Sequence, residues 1–366
     1  MKKVLVGFIM NGKAGGIDKY LLNLLESVSS DNLQIDFLTN QIDASLKERL
    51  DTYGSQLYSI ATLKHPWKQY RQVKKILHDG QYDVSYLNIS TAIDCIAALA
   101  AKSSHISKRI IHSHSSGNDC ESNIKRKVFD MLHHLCKTVL YRTATHCYGC
   151  SQKAGLWLFP RKIVNSTKFQ VVYNAVDKEL FRFDSQIREE VRTELELGDR
   201  LVLGHIGNFC YQKNHVFLLQ VFQEVLNLDS EAILLLVGTG VQYQAICQLA
   251  TQMGIWKHIR FLGWRSDTAR LYQGMDIFVL PSRFEGLCIV GIEAQYAHLK
   301  CVFSDTVSEE VQITDRCSFM SLMQEPKEWA KKIIEEQEYQ REECTYLPRE
   351  IHYDLKCQTD TLRQLL

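Results

Sequence analysis

What the sequence lacks narrows it first. No stretch approaches the roughly 18 consecutive apolar residues of a membrane-spanning helix, so no such helix is expected. Nothing reads as a secretory leader either: Lys2 and Lys3 are followed only by Val4 to Met10 before Asn11 and Gly12, a length that suits a first strand. There is no low-complexity segment and no short-period repeat. The 12 cysteines are scattered, and the one CxxC, Cys147 to Cys150, has no second pair at zinc spacing and no thioredoxin-like surroundings. Reduced, buried thiols in a cytoplasmic protein are therefore expected, and a disulfide scaffold is excluded.

Net charge is nearly absent too, at +1 over 366 residues, but the absence is a cancellation. Residues 1–187 carry 25 Lys and Arg against 16 Asp and Glu, and residues 188–366 carry 18 against 26. Such asymmetry suggests that the first half meets an anionic surface and the second does not. Nucleic acid is the poorer candidate, because no DNA- or RNA-binding motif accompanies the charge. The chain is 45% hydrophobic and 23% charged, which suits a soluble core-forming protein, and its length suits two domains at about 150 residues each.

Short runs of Val, Ile, Leu and Phe alternate with helical periodicity along nearly the whole chain, the pattern of parallel α/β sheets. Strands are expected at Val4–Ile9, Ile35–Thr39, Val84–Asn88, Arg109–His112 and Phe169–Tyr173, then at Leu201–Ile206, Ile233–Val237, Ile259–Leu262, Ile277–Leu280 and Cys301–Ser304. Ile17, Tyr20, Leu21, Leu24, Leu25 and Val28 recur at helical spacing and predict an amphipathic helix facing a sheet. The polar stretch Lys178–Arg200 separates the two series and starts at a hinge. Two similar α/β domains facing across a cleft follow, with ligand at the carboxyl ends of the strands.

Four loops at those strand ends carry chemistry. The first, Met10 to Gly16, has glycines between a strand and a helix, where backbone N–H groups approach an anion. It has neither the GxGxxG spacing nor the GK[ST] ending of the common nucleotide fingerprints. In the second half, the loop Gly204 to His215 brings Lys213 to the start of a helix, where an ammonium and backbone donors together suit a diphosphate, and Gly238 to Gly240 end the next strand on the same edge. The strongest constellation runs from Pro281 to Gln295. Glu285 stands at the strand-to-helix turn and Glu293 eight residues later among Ile289, Val290, Ile292 and Ala294. A helix between them would separate their Cα atoms by roughly 12 Å. That span suits a ligand with a carboxylate at each end and its phosphates over the backbone of Gly286, Leu287 and Cys288.

Glu285 and Glu293 match the E-x7-E motif of retaining nucleotide-sugar glycosyltransferases, and the chain resembles glycosyltransferase family 4 with its GT-B fold. The resemblance extends over residues 1–355, through Gly15 to Ile17, Val171 to Asp177, the Lys213–Asn214 pair and Leu236 to Gly240. Ile111 to Ser115, Cys150 to Phe159 and Glu325 to Trp329 resemble the branch that builds bacterial capsular and exopolysaccharides. It implies an α/β, GT-B architecture of two Rossmann-like parallel-sheet domains. An acceptor-binding domain would span 1–180, a nucleotide-sugar-binding domain 181–345, and a helical tail 346–366 would cross back to the first.

The resemblance also implies roles. His114, Lys213 and Glu285 would be catalytic: His114 near the reacting carbon, Lys213 on the leaving diphosphate, Glu285 on the donor sugar. Glu293 would hold the ribose hydroxyls, Gly15 and Gly16 would close over the donor phosphates, and the backbone at Arg265 would meet the base. Gly238, Gly286, Leu287 and Cys288 complete the donor site. Where the family usually places an arginine after the phosphate-loop glycine this chain has Asn208, a donor without charge, and Arg283 is the side chain available to replace it. Cys288 and His298 also depart from common family residues. The sequence has no DxD, and no metal or other cofactor is expected beyond the nucleotide-sugar co-substrate.

The implied reaction moves a sugar from a nucleotide-sugar, a UDP-sugar by preference, to a lipid-linked saccharide or oligosaccharide acceptor with retention. Two basic, partly apolar stretches, Lys64–Leu77 and Asn123–Leu132, suggest peripheral attachment to an anionic membrane face. A homodimer or a partner glycosyltransferase is compatible with the sequence. The alternatives are a non-catalytic glycosyltransferase-like subunit, which Asn208 favours, and a GT-B sugar-nucleotide epimerase.

Overall fold

Apolar runs without alternation belong to strands covered on both faces, and the chain uses them to build two wholly parallel sheets. The structure, a computed structural model, describes residues 1–10, 15–28, 32–341 and 344–366. It divides into two units: residues 1–118, 122–175 and 355–366, and residues 119–121 with 176–354.

Among the described residues the first unit holds seven strands: β1 (Lys2–Gly7), β2 (Leu33–Thr39), β3 (Leu57–Ser59), β4 (Val84–Ile89), β5 (Lys108–Ser113), β6 (His146–Gly149) and β7 (Phe169–Val171). Their order is β3-β2-β1-β4-β5-β6-β7. Val4, Leu5 and Val6 of β1 are all buried, one face against the helix Gly16–Val28 and the other against helices of the opposite layer. The predicted apolar face of Gly16–Val28 packs as expected, with Tyr20, Leu21, Leu24, Leu25 and Val28 buried.

The described residues of the second unit hold six: β8 (Val202–Ile206), β9 (Ile233–Val237), β10 (Ile259–Gly263), β11 (Ile277–Leu280), β12 (Lys300–Ser304) and β13 (Cys317–Met320), in the order β10-β9-β8-β11-β12-β13. In each sheet the order reverses once, between β1 and β4 and between β8 and β11. Loops leaving the carboxyl ends of those strands diverge there and open a crevice suited to a ligand.

Three strands were not expected from sequence. β3 is three residues at a sheet edge, β6 reads His146-Cys147-Tyr148-Gly149, and β13 mixes Cys317 and Ser318 with Phe319 and Met320; none is a Val/Ile/Leu run. The thiols of Cys147 and Cys150 are buried and unbridged, and burial raises that of Cys147 to about 12.

The division of the chain differs from the boundaries read at 180 and 345. Residues 346–354 belong to the second unit, because the Tyr353 hydroxyl donates to the Glu310 carbonyl at 2.6 Å and Lys178 pairs with Asp354 at 2.8 Å and with Glu350 at 3.3 Å. The helix Leu355–Leu365 belongs to the first unit, with Leu362, Leu365 and Leu366 in the core beside Gly16–Val28. Among the described residues no helix is long and apolar enough to cross a membrane.

Candidate functional site

At the reversal of the second sheet, two loops are laced together by backbone. After β8 the chain turns through Gly207, and the next strand end, Gly238, sits so close that a Cβ there would lie 2.1 Å from the Gly207 carbonyl oxygen. Gly238 also has φ of +136°, a region that only glycine enters without strain. A Cβ on Gly207 would itself approach Lys213 Cε at 2.9 Å, so the glycine leaves room for the lysine stem. The loop ends at Asn214, in the left-handed conformation, whose amide donates to the Pro281 carbonyl at 3.1 Å, and the helix His215–Leu226 follows.

The loop after β11 delivers Glu285 to this point. Lys213 Nζ lies 2.8 Å from Glu285 Oε1, Ser282 Oγ donates to the same oxygen at 2.7 Å, and Gln212 Nε2 donates to Oε2 at 2.8 Å. Both members of the ion pair are largely buried. Burial opposes the charge on Lys213, but Glu285 outweighs it, and the ammonium stands above the ordinary lysine range. A cation so held is fully charged at neutral pH and needs little rearrangement to receive a second anion.

The helix that carries Glu293 begins at Ile289, later than the apolar pattern suggests, and ends at Tyr296. Glu285 through Cys288 are therefore an irregular turn, and the helical-rise estimate of the Glu285–Glu293 span does not apply. The Ile289 N–H is turned back to the Leu287 carbonyl at 3.0 Å, and those of Gly291 and Ile292 to the Cys288 carbonyl at 3.1 and 3.3 Å. Glu293 is 5% exposed and Tyr272 donates to its Oε2 at 3.1 Å, so it is no solvated surface acid. Cys288 is buried beside the pair, its thiol pushed up by burial.

Other expected positions stand as follows. Asn208 is exposed at the loop tip. Arg283 is anchored to the same loop, its guanidinium donating to Asn214 Oδ1 at 2.7 Å and lying 4.6 Å from the Tyr211 ring centroid. Arg265 grips Asp267 with two bonds of 2.7 and 2.6 Å and lies 3.5 Å from Glu194. Two groups are not apparent from sequence. His205 and His215 lie buried in edge contact behind Lys213, and burial holds His205 down at about 3 and His215 well below the usual imidazole range. Nothing in their local sequence marks them, because they meet only when β8 and the next helix pack.

In the first unit, Gly15 has φ of +110° and Gly16 opens the first helix. Residues 11–14 of that loop lie outside the described residues. Met10 N–H donates to the buried Asp18 at 3.0 Å, tying the start of the loop to the helix. His114, just past β5, has Nε2 2.8 Å from Asn88 Oδ1 at the end of β4. The Asn88 amide nitrogen donates to the Gly7 carbonyl at 3.0 Å, which can only accept, so Oδ1 must face His114. His114 therefore carries its proton on Nε2 and leaves Nδ1 as a bare acceptor, buried and without a partner. Burial holds the ring down at about 3, hence neutral. Beneath it, Tyr20, Tyr86 and His112 form a buried hydrogen-bonded chain, 2.6 and 2.8 Å long.

Residues 14–180 match the model of a family described as Glycosyltransferase Family 4, and residues 200–336 that of Glycosyl transferases group 1. EpsF of Bacillus subtilis, which carries a glycosyltransferase name, is 27% identical over 87% of this chain and 84% of its own. CapH of Staphylococcus aureus, named as a capsular polysaccharide biosynthesis glycosyltransferase, is 23% identical over 79% and 78%. Among solved structures, Anabaena HepE in complex with UDP has a TM-score of 0.74 at 17% identity, covering 100% of this chain and 98% of that one. The fold they share is GT-B.

Proposed function

Since the chain belongs to the family 4 glycosyltransferases, related to enzymes of polysaccharide synthesis, we propose that it moves a hexosyl or N-acetylhexosaminyl group from a UDP-sugar to a lipid-linked or oligosaccharide acceptor, with retention and without a metal, at the inner face of the cell membrane. The observation that carries this reading is the buried Lys213–Glu285 pair at the reversal of the second sheet, with Glu293 on the helix that follows.

Departure of the diphosphate builds negative charge at the phosphate next to the sugar. A cation and backbone donors already aimed there lower the barrier because they need no reorientation as the charge appears. Lys213 meets that requirement, because three contacts to Glu285 fix the carboxylate and the carboxylate keeps the ammonium charged. The N–H groups leading into Ile289–Tyr296 add a dipole of the same sign. Glu293 is the carboxylate for the ribose hydroxyls, and Glu285 the carboxylate for a hydroxyl of the donor sugar. His114 is neutral, with Nε2–H committed to Asn88 and the bare Nδ1 buried, so it reaches a hydroxyl of donor or acceptor only once the ring is uncovered. The UDP in the HepE crystals supports uridine as the carrier.

Calorimetric titration with UDP tests the site. Glu293→Ala is expected to weaken UDP binding by about tenfold to a hundredfold, the range for losing charged hydrogen bonds; unchanged affinity would refute the assignment. Proton NMR of the product's anomeric signal tests retention. Asn208, exposed and uncharged where a cation is usual, favours a second reading as a binding subunit. Release of UDP from UDP-glucose by the purified chain alone would exclude it.

A further inference from the structure

The helix Asn123–Leu140 turns its apolar side outward. Ile124, Val128, Met131, Leu132, Leu135 and Val139 recur at helical spacing on one face, and all are exposed, Ile124 by 79% and Leu135 by 62%. The opposite face is the one fixed to the body of the first unit. His133 is buried there, accepting from the Ala92 N–H at 3.1 Å, 2.9 Å from the Trp157 carbonyl and stacked on the Trp157 ring; Leu140 is buried beside the next turn. The orientation is thus held by specific contacts. The other basic stretch behaves differently, since the helix Pro66–Gly80 buries Val73 and Leu77 in the ordinary way.

Charge decides what covers the exposed stripe. Lys125 and Lys127 flank it, and the helix's only carboxylate, Asp130, is half-buried and accepts from Asn118 at 3.2 Å. A second copy laid on this face would bring the same cations together, whereas an anionic lipid surface complements both the stripe and its borders. The helix starts from the carboxyl edge of the first sheet, in the segment that follows β5 and His114. A bilayer beneath the stripe would therefore present a lipid-carried saccharide on the edge where His114 lies.

We propose that Asn123–Leu140 docks the chain on an anionic bilayer, with Ile124, Val128, Met131 and Leu135 at the acyl boundary and Lys125 and Lys127 among the headgroups. The inference is independent of the transfer chemistry. Sedimentation with phosphatidylcholine vesicles, with and without phosphatidylglycerol, tests it on the full chain. Wild type is expected to bind the anionic vesicles, Met131→Ser/Leu135→Ser to bind about tenfold or more weakly, and Lys125→Glu/Lys127→Glu to lose the phosphatidylglycerol-dependent part. Failure of wild type to bind, or equal binding by the serine variant, overturns the proposal. So does a wild-type dimer by light scattering that the serine variant dissociates without any vesicle binding. UDP titration of the same variants, expected unchanged because these side chains are exposed, separates this outcome from failure of the donor site.

Discussion

At the scale of single residues, the candidate site rests on one ion pair whose carboxylate is fixed by neutral neighbours. Lys213→Met removes the ammonium and leaves the Glu285 carboxylate buried beside the uncharged Gln212 and Ser282. Turnover is expected to fall about a hundredfold or more, as when a preorganised transition-state donor is removed, and stability by about 3 kcal/mol, the cost of an orphaned buried charge; steady-state kinetics and thermal melting measure each. Asn88 is a positioning residue of the same kind. Asn88→Asp keeps an acceptor for His114 and the Nε2–H tautomer, while Asn88→Leu removes it; long-range 15N–1H NMR of the His114 ring is expected to show the Nε2–H pattern only in the former and in wild type. Glu293 was legible in the sequence because a charged residue in an apolar run is conspicuous, Glu285 because it stands eight residues earlier at a strand-to-helix turn, and Lys213 because it closes a glycine-bearing loop at a helix start. Asn88, Gln212 and Ser282 were not, since each acquires meaning only from a partner on another element.

At the scale of elements, close backbone approach matters more than propensity. Gly54 and Gly238 both have positive φ, but a Cβ on Gly54 meets nothing within 4 Å, while one on Gly238 meets the Gly207 carbonyl. Gly54→Ala is expected to cost about 1 kcal/mol, the ordinary left-handed penalty. Gly238→Ala should cost several times more and displace the loop that carries Lys213, lowering UDP affinity as well; denaturant melts and titration of the pair distinguish strain from clash. The central strands of both sheets were readable because burial on two faces demands unbroken apolar runs. β3, β6 and β13 were hidden, since short or outlying strands need less apolar surface. The start of the helix bearing Glu293 is obscured for another reason: apolar residues from Leu287 onward continue the helical pattern, but the backbone from Glu285 to Cys288 is given over to the turn.

At the scale of the whole molecule, buried imidazoles dictate the response to acid. His112, His205 and His215 are held below their usual range by burial, so below about pH 6.5 the unfolded chain takes up protons that the folded chain refuses. Stability is therefore complete above that pH and declines toward pH 3, by about 1 kcal/mol for each such imidazole near pH 5.5. Melting temperature across this range is expected to fall more steeply than in a His112→Gln/His205→Gln variant. The opposite charges of the two halves were visible in composition, yet the units exchange more chain than composition could reveal. Residues 346–354 follow the second unit and Leu355–Leu366 the first. That return sets an order of biosynthesis. Leu362, Leu365 and Leu366 leave the ribosome only after the entire second unit, and they fill the core under the first helix. The half of the protein that is made first is then the half that finishes folding last, and a nascent chain halted at Ala175 would be a client for chaperones rather than a domain.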